Sequence, residues 1–191
     1  MRVLGTLAVL GAMVGLGAAA PESASTTMLF GANTSAVACA QHARTASVTY
    51  MGMLAAIAPC TAAIETEPLT LRQVAATYAN RGVILLNADI VADAEVDFQK
   101  AITIDPRLGE AYVNRGAALV LMRQDAAAVT EIDKGLALGA LEPERAYFNR
   151  AIALENLGNV KGAYEAFQKA ASLKPDWPAP QAELARFTVN R

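Results

Sequence analysis

The sequence is poor in the residues that most active sites and nucleic-acid-binding surfaces require. It contains one histidine, His42, and its 16 lysines and arginines are outnumbered by 18 acidic residues and form no basic block. Nucleic acids and anionic membrane surfaces attract proteins through basic patches, so we expect neither as a partner. One histidine leaves little scope for a histidine-assisted nucleophile, and the glycines stand singly rather than in a phosphate-binding loop. The composition therefore predicts a protein that is not an enzyme and carries no cofactor.

The N-terminus has the pattern of a secretory signal peptide. Arg2 precedes an apolar run from Val3 to Leu16. Residues 17–20, which come next, are the small residues that a signal peptidase requires. Pro21 comes directly after them, which leaves the cleavage site open. We therefore expect residues 1–24 to be a signal peptide and linker, with export to the periplasm and no membrane insertion after cleavage. An uncleaved anchor is the alternative, although the run barely reaches the ~20 apolar residues of a membrane span.

The remainder of the chain repeats one pattern three times. Segments 78–82, 112–116 and 147–151 read YANRG, YVNRG and YFNRA, at intervals of 34 and 35 residues. Each is followed at fixed distances by a small, a large apolar and a second small residue: Ala94, Phe98 and Ala101; Ala128, Ile132 and Gly135; Ala163, Phe167 and Ala170. A period of about 34 residues is typical of arrays of helical hairpins.

This pattern resembles the tetratricopeptide repeat (TPR) over roughly residues 70–190, with Pro106 and Pro175 closing the first and third units. The chain departs from the family at three kinds of position. Arginine stands where the family has leucine, at Arg81, Arg115 and Arg150. Gly135 replaces an alanine, and the second unit has Ala140 in place of its closing proline.

The resemblance implies an all-α, right-handed solenoid like those of small exported TPR proteins of Gram-negative bacteria. We expect a degenerate N-terminal hairpin in residues 25–68 and three repeats with a C-terminal capping helix in 69–191. The N-terminal hairpin would follow a short extended or loosely docked segment, Thr26–Gly31. Its second helix should kink or restart at Pro59, because proline breaks the helical hydrogen-bond ladder.

Both cysteines fall in this N-terminal hairpin, Cys39 on its first helix and Cys60 on its second. In an exported protein, two cysteines on facing antiparallel helices predict a disulfide. Free buried thiols are one alternative. A metal site is another, but together with His42 the cysteines give three ligands and no obvious fourth. We therefore expect a disulfide and no metal.

The resemblance also implies a concave groove lined by the first helix of each repeat. The corresponding positions are Ala79, Asn80, Val83, Leu86 and Asn87; Val113, Asn114, Ala117, Val120 and Leu121; and Phe148, Asn149, Ile152, Glu155 and Asn156. Asparagine amides both donate and accept hydrogen bonds, so a row of them on an apolar floor could hold the backbone of an extended peptide. The alternative is that each asparagine bonds to the neighbouring repeat.

Some TPR domains grip a terminal carboxylate with a lysine before this asparagine and a second asparagine three residues after it. Those positions hold Ala79 and Val83 in the first unit and equally apolar residues in the others, so a carboxylate clamp is not supported. The sequence predicts a protein or peptide partner in the groove. The alternative function is a structural component of a cell-envelope complex, engaged through its convex face or its N-terminal segment.

Overall fold

A computed structural model of the chain describes residues 34–44 and 50–188, and this part is helical without a strand. Its helices are α1 (Ser35–Ala43), α2 (Tyr50–Thr66), α3 (Leu71–Asn87), α4 (Val91–Ile104), α5 (Gly109–Leu121), α6 (Asp125–Ala137), α7 (Pro143–Asn156), α8 (Val160–Leu173) and α9 (Pro178–Thr188). Each helix packs on the next, and the first helices of the three repeats, α3, α5 and α7, also contact one another in turn. The predicted all-α solenoid of stacked helical hairpins is confirmed.

The three repeats turn between their helices in the same way. Asp89, Arg123 and Gly158 occupy equivalent places and all have positive φ, at 63°, 61° and 77°. Glycine adopts this left-handed conformation without strain, whereas other residues adopt it at a cost. The chain therefore reverses direction in the same way in all three hairpins, at the same interval as the sequence repeat.

Small residues face large ones across each hairpin, as expected. A Cβ atom on Gly82 would stand 2.6 Å from the ring of Phe98, and one on Gly116 would collide with Ile132. Both large side chains are fully buried. The glycines therefore let the two helices of a repeat approach until the aromatic or branched side chain fills the gap, which is how protein interiors reach high density.

The C-terminal helix α9 covers the last repeat. Leu184 and Phe187 pack against the cluster that contains Phe148 and Phe167, and the rings of Phe167 and Phe187 lie 6.0 Å apart. Arg186, on the outward side, is exposed. The predicted capping helix is confirmed, with an apolar inner and a polar outer side as repeat arrays require.

The N-terminal hairpin is closed by the predicted disulfide between Cys39 and Cys60, whose Cα atoms are 4.7 Å apart. Neither cysteine is a free thiol. Helix α2 does not restart at Pro59 but continues through this residue from Tyr50 to Thr66, and a kink there stays a prediction. Cys60 and its buried neighbours on both sides of Pro59 hold the helix on the core, and this tertiary packing outweighs the lost hydrogen bond.

Two sequence-based expectations lie outside the described residues: the signal peptide or anchor, and the segment Thr26–Gly31. Among the helices that the structure does describe, none combines the length and the hydropathy of a membrane span.

Candidate functional site

The first helices of the three repeats carry an asparagine at the same position, and we call these three residues the asparagine row: Asn80 on α3, Asn114 on α5 and Asn149 on α7. Asn80 is 4% exposed, and Asn114 and Asn149 are 0% exposed. Buried amides need hydrogen-bond partners, because an unsatisfied one keeps its full desolvation cost. The asparagine row is therefore a polar strip shielded from bulk water.

Asn114 and Asn149 both have interaction partners. The side-chain oxygens of Asn80 and Asn149 are buried and accept no hydrogen bond among the described residues. A buried carbonyl oxygen of this kind is suited to accept an N–H group, such as that of a peptide backbone.

Most of the apolar positions predicted to line the groove are buried in the core. Val113 packs with Ile132, and the ring of Phe148 lies 5.4 Å from that of Phe167 and 4.9 Å from that of Trp177. The other buried members of the set are Ala79, Val83, Leu86, Ala117 and Val120. These side chains hold neighbouring helices together, and their role in binding stays a prediction.

Five of the predicted groove residues keep accessible surface: Asn87, Leu121, Ile152, Glu155 and Asn156. We call this set the open end, because all five lie in the last two turns of α3, α5 and α7. Leu121 and Ile152 provide apolar surface there. The open end is the part of the predicted groove that a ligand can reach without displacing packed side chains.

Two polar residues of the open end already have partners. The amide nitrogen of Asn156 donates to Asp125 at 2.8 Å, and its oxygen accepts from Arg123 at 3.2 Å. Glu155 pairs with Arg186 of the capping helix, with an N–O distance of 2.9 Å. Asn156 therefore stabilises the hairpin turns and is not a fourth member of the asparagine row.

The three arginines that depart from the family pattern form ion pairs with the second helices. Arg81 binds the carboxylate of Asp97 through two nitrogens at 2.7 and 2.9 Å. This hydrogen bond raises the pKa of Arg81, against the opposing effect of burial. Arg115 similarly reaches Glu95 at 2.8 Å on the preceding repeat. Sequence reasoning missed this role, although one arginine at the same position of every repeat was a usable signal.

A cleft with a volume of about 290 Å³ lies between α2 and α4 of the N-terminal hairpin and the first repeat. Arg81, Asp97 and Lys100 line it together with apolar residues such as Ile57 and Val96. Its buried carboxylate is already neutralised by Arg81. Within the described residues, no group of three or more histidine, cysteine or acidic side chains could hold a metal ion.

Comparison with known proteins identifies the repeat. Residues 144–177 match the family model of the tetratricopeptide repeat. A comparison with curated protein sequences gave no match.

Three solved structures illustrate the shared fold. The Arabidopsis OM64 TPR domain has 20% identity and a TM-score of 0.60, covering 64% of this chain and 100% of that one. MamA 41-end from Desulfovibrio magneticus RS-1 has 21% identity and a TM-score of 0.61, covering 72% and 75%. The first TPR of Spaghetti (RPAP3), bound to the HSP90 peptide SRMEEVD, has 20% identity and a TM-score of 0.57, covering 61% and 94%.

Proposed function

We propose that this chain is a non-enzymatic interaction module that binds an extended segment of a partner protein across α3, α5 and α7. The proposal starts from the match of residues 144–177 to the tetratricopeptide repeat and from the fold that the chain shares with TPR domains. The observation that carries the proposal is the buried oxygen of Asn80, which accepts no hydrogen bond. A backbone N–H of a bound segment would satisfy it, and this gain is available whatever the side-chain sequence of the ligand.

A structural neighbour supports this mode of binding. The first TPR of Spaghetti is bound to an HSP90 peptide, so the common fold accommodates a peptide in at least one protein. The ligand chemistry proposed for this chain differs. Ala79 and Val83 stand at the two clamp positions of the first repeat, and neither offers a hydrogen-bond donor to a terminal carboxylate.

The open end supplies the apolar contacts. Leu121 and Ile152 lie there on neighbouring helices and remain partly exposed. Burial of apolar ligand side chains against them would contribute the larger share of the binding free energy, at roughly 25 cal/mol per Å². The asparagine row would set the direction of the bound backbone.

The experiment uses synthetic octapeptides without charged residues, titrated onto the full chain and followed by fluorescence anisotropy. Ile152→Glu should weaken the tightest binder at least tenfold, because the new carboxylate would be desolvated by the ligand. Val160→Glu is the matched control, since Val160 is 58% exposed on the second helix of the same repeat. Equal losses of peptide affinity in both variants, or no binding of any octapeptide, would contradict the proposal.

A second comparison separates ligand binding from packing. Asn114→Ala should lower peptide affinity by about tenfold if Asn114 contributes hydrogen bonds worth ~0.5–1.5 kcal/mol each to the complex. Thermal unfolding is measured on the same sample. Lost stability with unchanged affinity would mean that the asparagine row joins the repeats and that the ligand binds elsewhere.

We also propose that the protein is exported, most simply to a periplasm. The disulfide between Cys39 and Cys60 supports this, because structural disulfides persist in oxidising compartments. Mass spectrometry of the N-terminus and of the cysteines in protein from the native envelope fraction tests it. An intact N-terminus with two reduced cysteines in the cytoplasmic fraction would overturn it.

A further inference from the structure

The outer surface of α2 is apolar over almost its whole length. Residues 50–64 contain no charged side chain, and Met51 and Leu54 are 74% and 42% exposed. The accessible residues on this side of the helix follow one another at intervals of three or four, and we call them the α2 face: Met51, Leu54, Ala55, Ala58 and Ala62. A surface helix ordinarily turns charged or polar residues to water, and the α2 face has none.

The second helices of the three repeats show what the same surface looks like when water covers it. They occupy the same place in their hairpins as α2 does in the N-terminal hairpin. Each exposes charges of both signs: Asp93 and Lys100 on α4, Asp133 and Lys134 on α6, and Glu165 and Lys169 on α8. The apolar surface of α2 is therefore a property of this helix and not of the repeat fold.

The α2 face continues into the cleft between α2 and α4. Ile57, one turn after Leu54, lines the cleft together with Val96, which is 48% exposed. Asp93 and Lys100 lie at the α4 side of the same cleft. An apolar centre with a charged rim on one side is the usual composition of a protein interface.

The surface is large enough for a specific contact. Helix α2 has 17 residues and is about 25 Å long at 1.5 Å per residue. Neighbouring packed helices are about 8–10 Å apart, so the α2 face with the adjoining cleft and α4 is about 20 Å wide and covers about 500 Å². Two such surfaces would bury about 1,000 Å² together, the size at which specific interfaces begin.

The opposite end of the array disfavours a head-to-tail contact between copies. Helix α9 exposes Gln181 and Arg186 there, and Arg186 forms ion pairs with Glu155 and Glu183. An α2 face placed over these charges would remove them from water, which costs free energy. An α2 face is matched in chemistry by the α2 face of a second copy, and such a pair is closed by a two-fold axis.

The order of residues along α2 suits a two-fold pair. Antiparallel pairing around Ala58 brings this alanine against its own copy, where the small side chain allows the helices to approach closely. Leu54 lies four residues before Ala58 and Ala62 four residues after it, so each leucine meets an alanine of the other copy. Glu65 lies seven residues from Ala58, which places the two copies of this carboxylate about 21 Å apart along the helices.

We propose that the chain forms a dimer through the α2 face, with Ala58 at the two-fold axis. A lipid surface suits this face less well, because residues 50–64 contain no lysine, arginine or tryptophan to anchor the helix among lipid headgroups. The inference stands apart from the proposed function, since α2 carries no residue of the asparagine row. A dimer would carry two such rows, which raises the affinity for a partner that presents two copies of its segment.

The first test measures the mass of the chain, purified with its disulfide intact, by sedimentation velocity. Concentrations from about 1 μM to about 500 μM suit a reversible interface of this size. The mass should rise from that of one chain to that of two and go no further. A single chain at every concentration, or association that continues beyond two chains, would overturn the proposal. Co-sedimentation of a monomeric chain with phosphatidylcholine vesicles would overturn it in favour of a membrane-binding face.

Ala58→Glu tests whether the α2 face forms the contact. Two carboxylates would meet at the axis away from water, so the dissociation constant of the dimer should rise at least tenfold. Ala126→Glu is the matched control, because Ala126 is exposed at the equivalent position of α6, and should leave the dissociation constant unchanged. Circular dichroism checks that both variants keep the wild-type helix content. Equal dissociation constants for the two variants would refute the contact.

A second pair of variants tests the antiparallel arrangement. Pairing around Ala58 places residue 51 beside Glu65 of the other copy, because the two positions are equally far from the axis. Met51→Lys should therefore dimerise about tenfold more tightly than Met51→Glu, since the axis repeats each charge contact. Equal dissociation constants for these two variants would overturn the pairing around Ala58.

Discussion

Gly109, the first residue of α5, and Gly135, near the end of α6, touch backbone to backbone. A Cβ atom added to Gly109 would stand 2.9 Å from the carbonyl oxygen of Gly135, and one added to Gly135 would stand 2.7 Å from that of Gly109. The first and third repeats have alanine at the place of Gly135. The second repeat is therefore closed more tightly at this end than its neighbours.

Gly135→Ala should destabilise the protein by up to about 2 kcal/mol, although alanine is the usual family residue. Its helix propensity would favour folding by ~1 kcal/mol, but overpacking against backbone atoms, which cannot rotate away, costs about 1–3 kcal/mol. Urea unfolding measures the net effect. Ala127→Gly, at an exposed position of the same helix, is the control and should cost ~1 kcal/mol from propensity alone. A Gly135→Ala variant more stable than wild type would contradict the close contact.

Removal of the disulfide should lower stability by ~3 kcal/mol. Cys39 and Cys60 are separated by 21 residues, and closing a loop of that length removes about this much conformational freedom from the unfolded chain. The measurement compares the wild type with Cys39→Ala/Cys60→Ala in thermal unfolding, with and without reductant. Reductant should shift the wild type alone, and a shift of similar size in the double variant would refute the assignment to the disulfide.

Arg81→Leu, which restores the usual family residue, should destabilise the first repeat by ~3 kcal/mol. Asp97 is 3% exposed, and loss of its arginine partner leaves a buried carboxylate uncompensated. Replacing both residues by leucine should recover most of the loss.

Arg150→Leu is the matched control for this effect. Its partner Asp133 has a side chain that is 48% exposed, and pairs of this kind contribute at most ~1 kcal/mol. Urea unfolding measures the loss of stability in each single variant. Equal losses would show that burial of the carboxylate does not determine the contribution of the ion pair.

Glu142→Gln should stabilise the protein at neutral pH and lose this effect in acid. Burial raises the pKa of Glu142, although the positive charge of Arg145 opposes the shift. A carboxyl with a raised pKa favours the folded state while it is protonated, and this contribution is lost as pH rises from about 4, the usual glutamate range, through the raised value. Urea unfolding at pH 7 and at about pH 3.5 tests this. A gain that persists unchanged at the lower pH would contradict it, and Glu165→Gln on the exposed face of α8 is the control.

The helical framework was predictable because local signals agree with the repeat. Helices α5 (Gly109–Leu121) and α8 (Val160–Leu173) lie in the predicted repeats, since glycine, proline and the periodic small residues mark the same boundaries. Whether the second helix kinks or restarts at Pro59 was not predictable, because the packing that holds it comes from other parts of the chain.

The groove was predictable as a set of repeat positions but not as a surface. Val83 and Ile152 hold the same repeat position, three residues after the asparagine, yet Val83 is buried and Ile152 is partly exposed. The difference depends on what the neighbouring helices place over each residue. Repeat position fixes the direction of a side chain, whereas its exposure depends on the tilt of its neighbours, which the sequence pattern does not contain.

The disulfide has a further consequence for how the protein matures. Both cysteines lie in the hairpin that is synthesised first, and the chain contains no others. Oxidation therefore needs no segment that is made later and has no alternative intramolecular partner, so the slow reshuffling of mispaired cysteines cannot arise within the chain. The covalently closed hairpin can then serve as the template onto which α3 and the following repeats are added in the order of their synthesis.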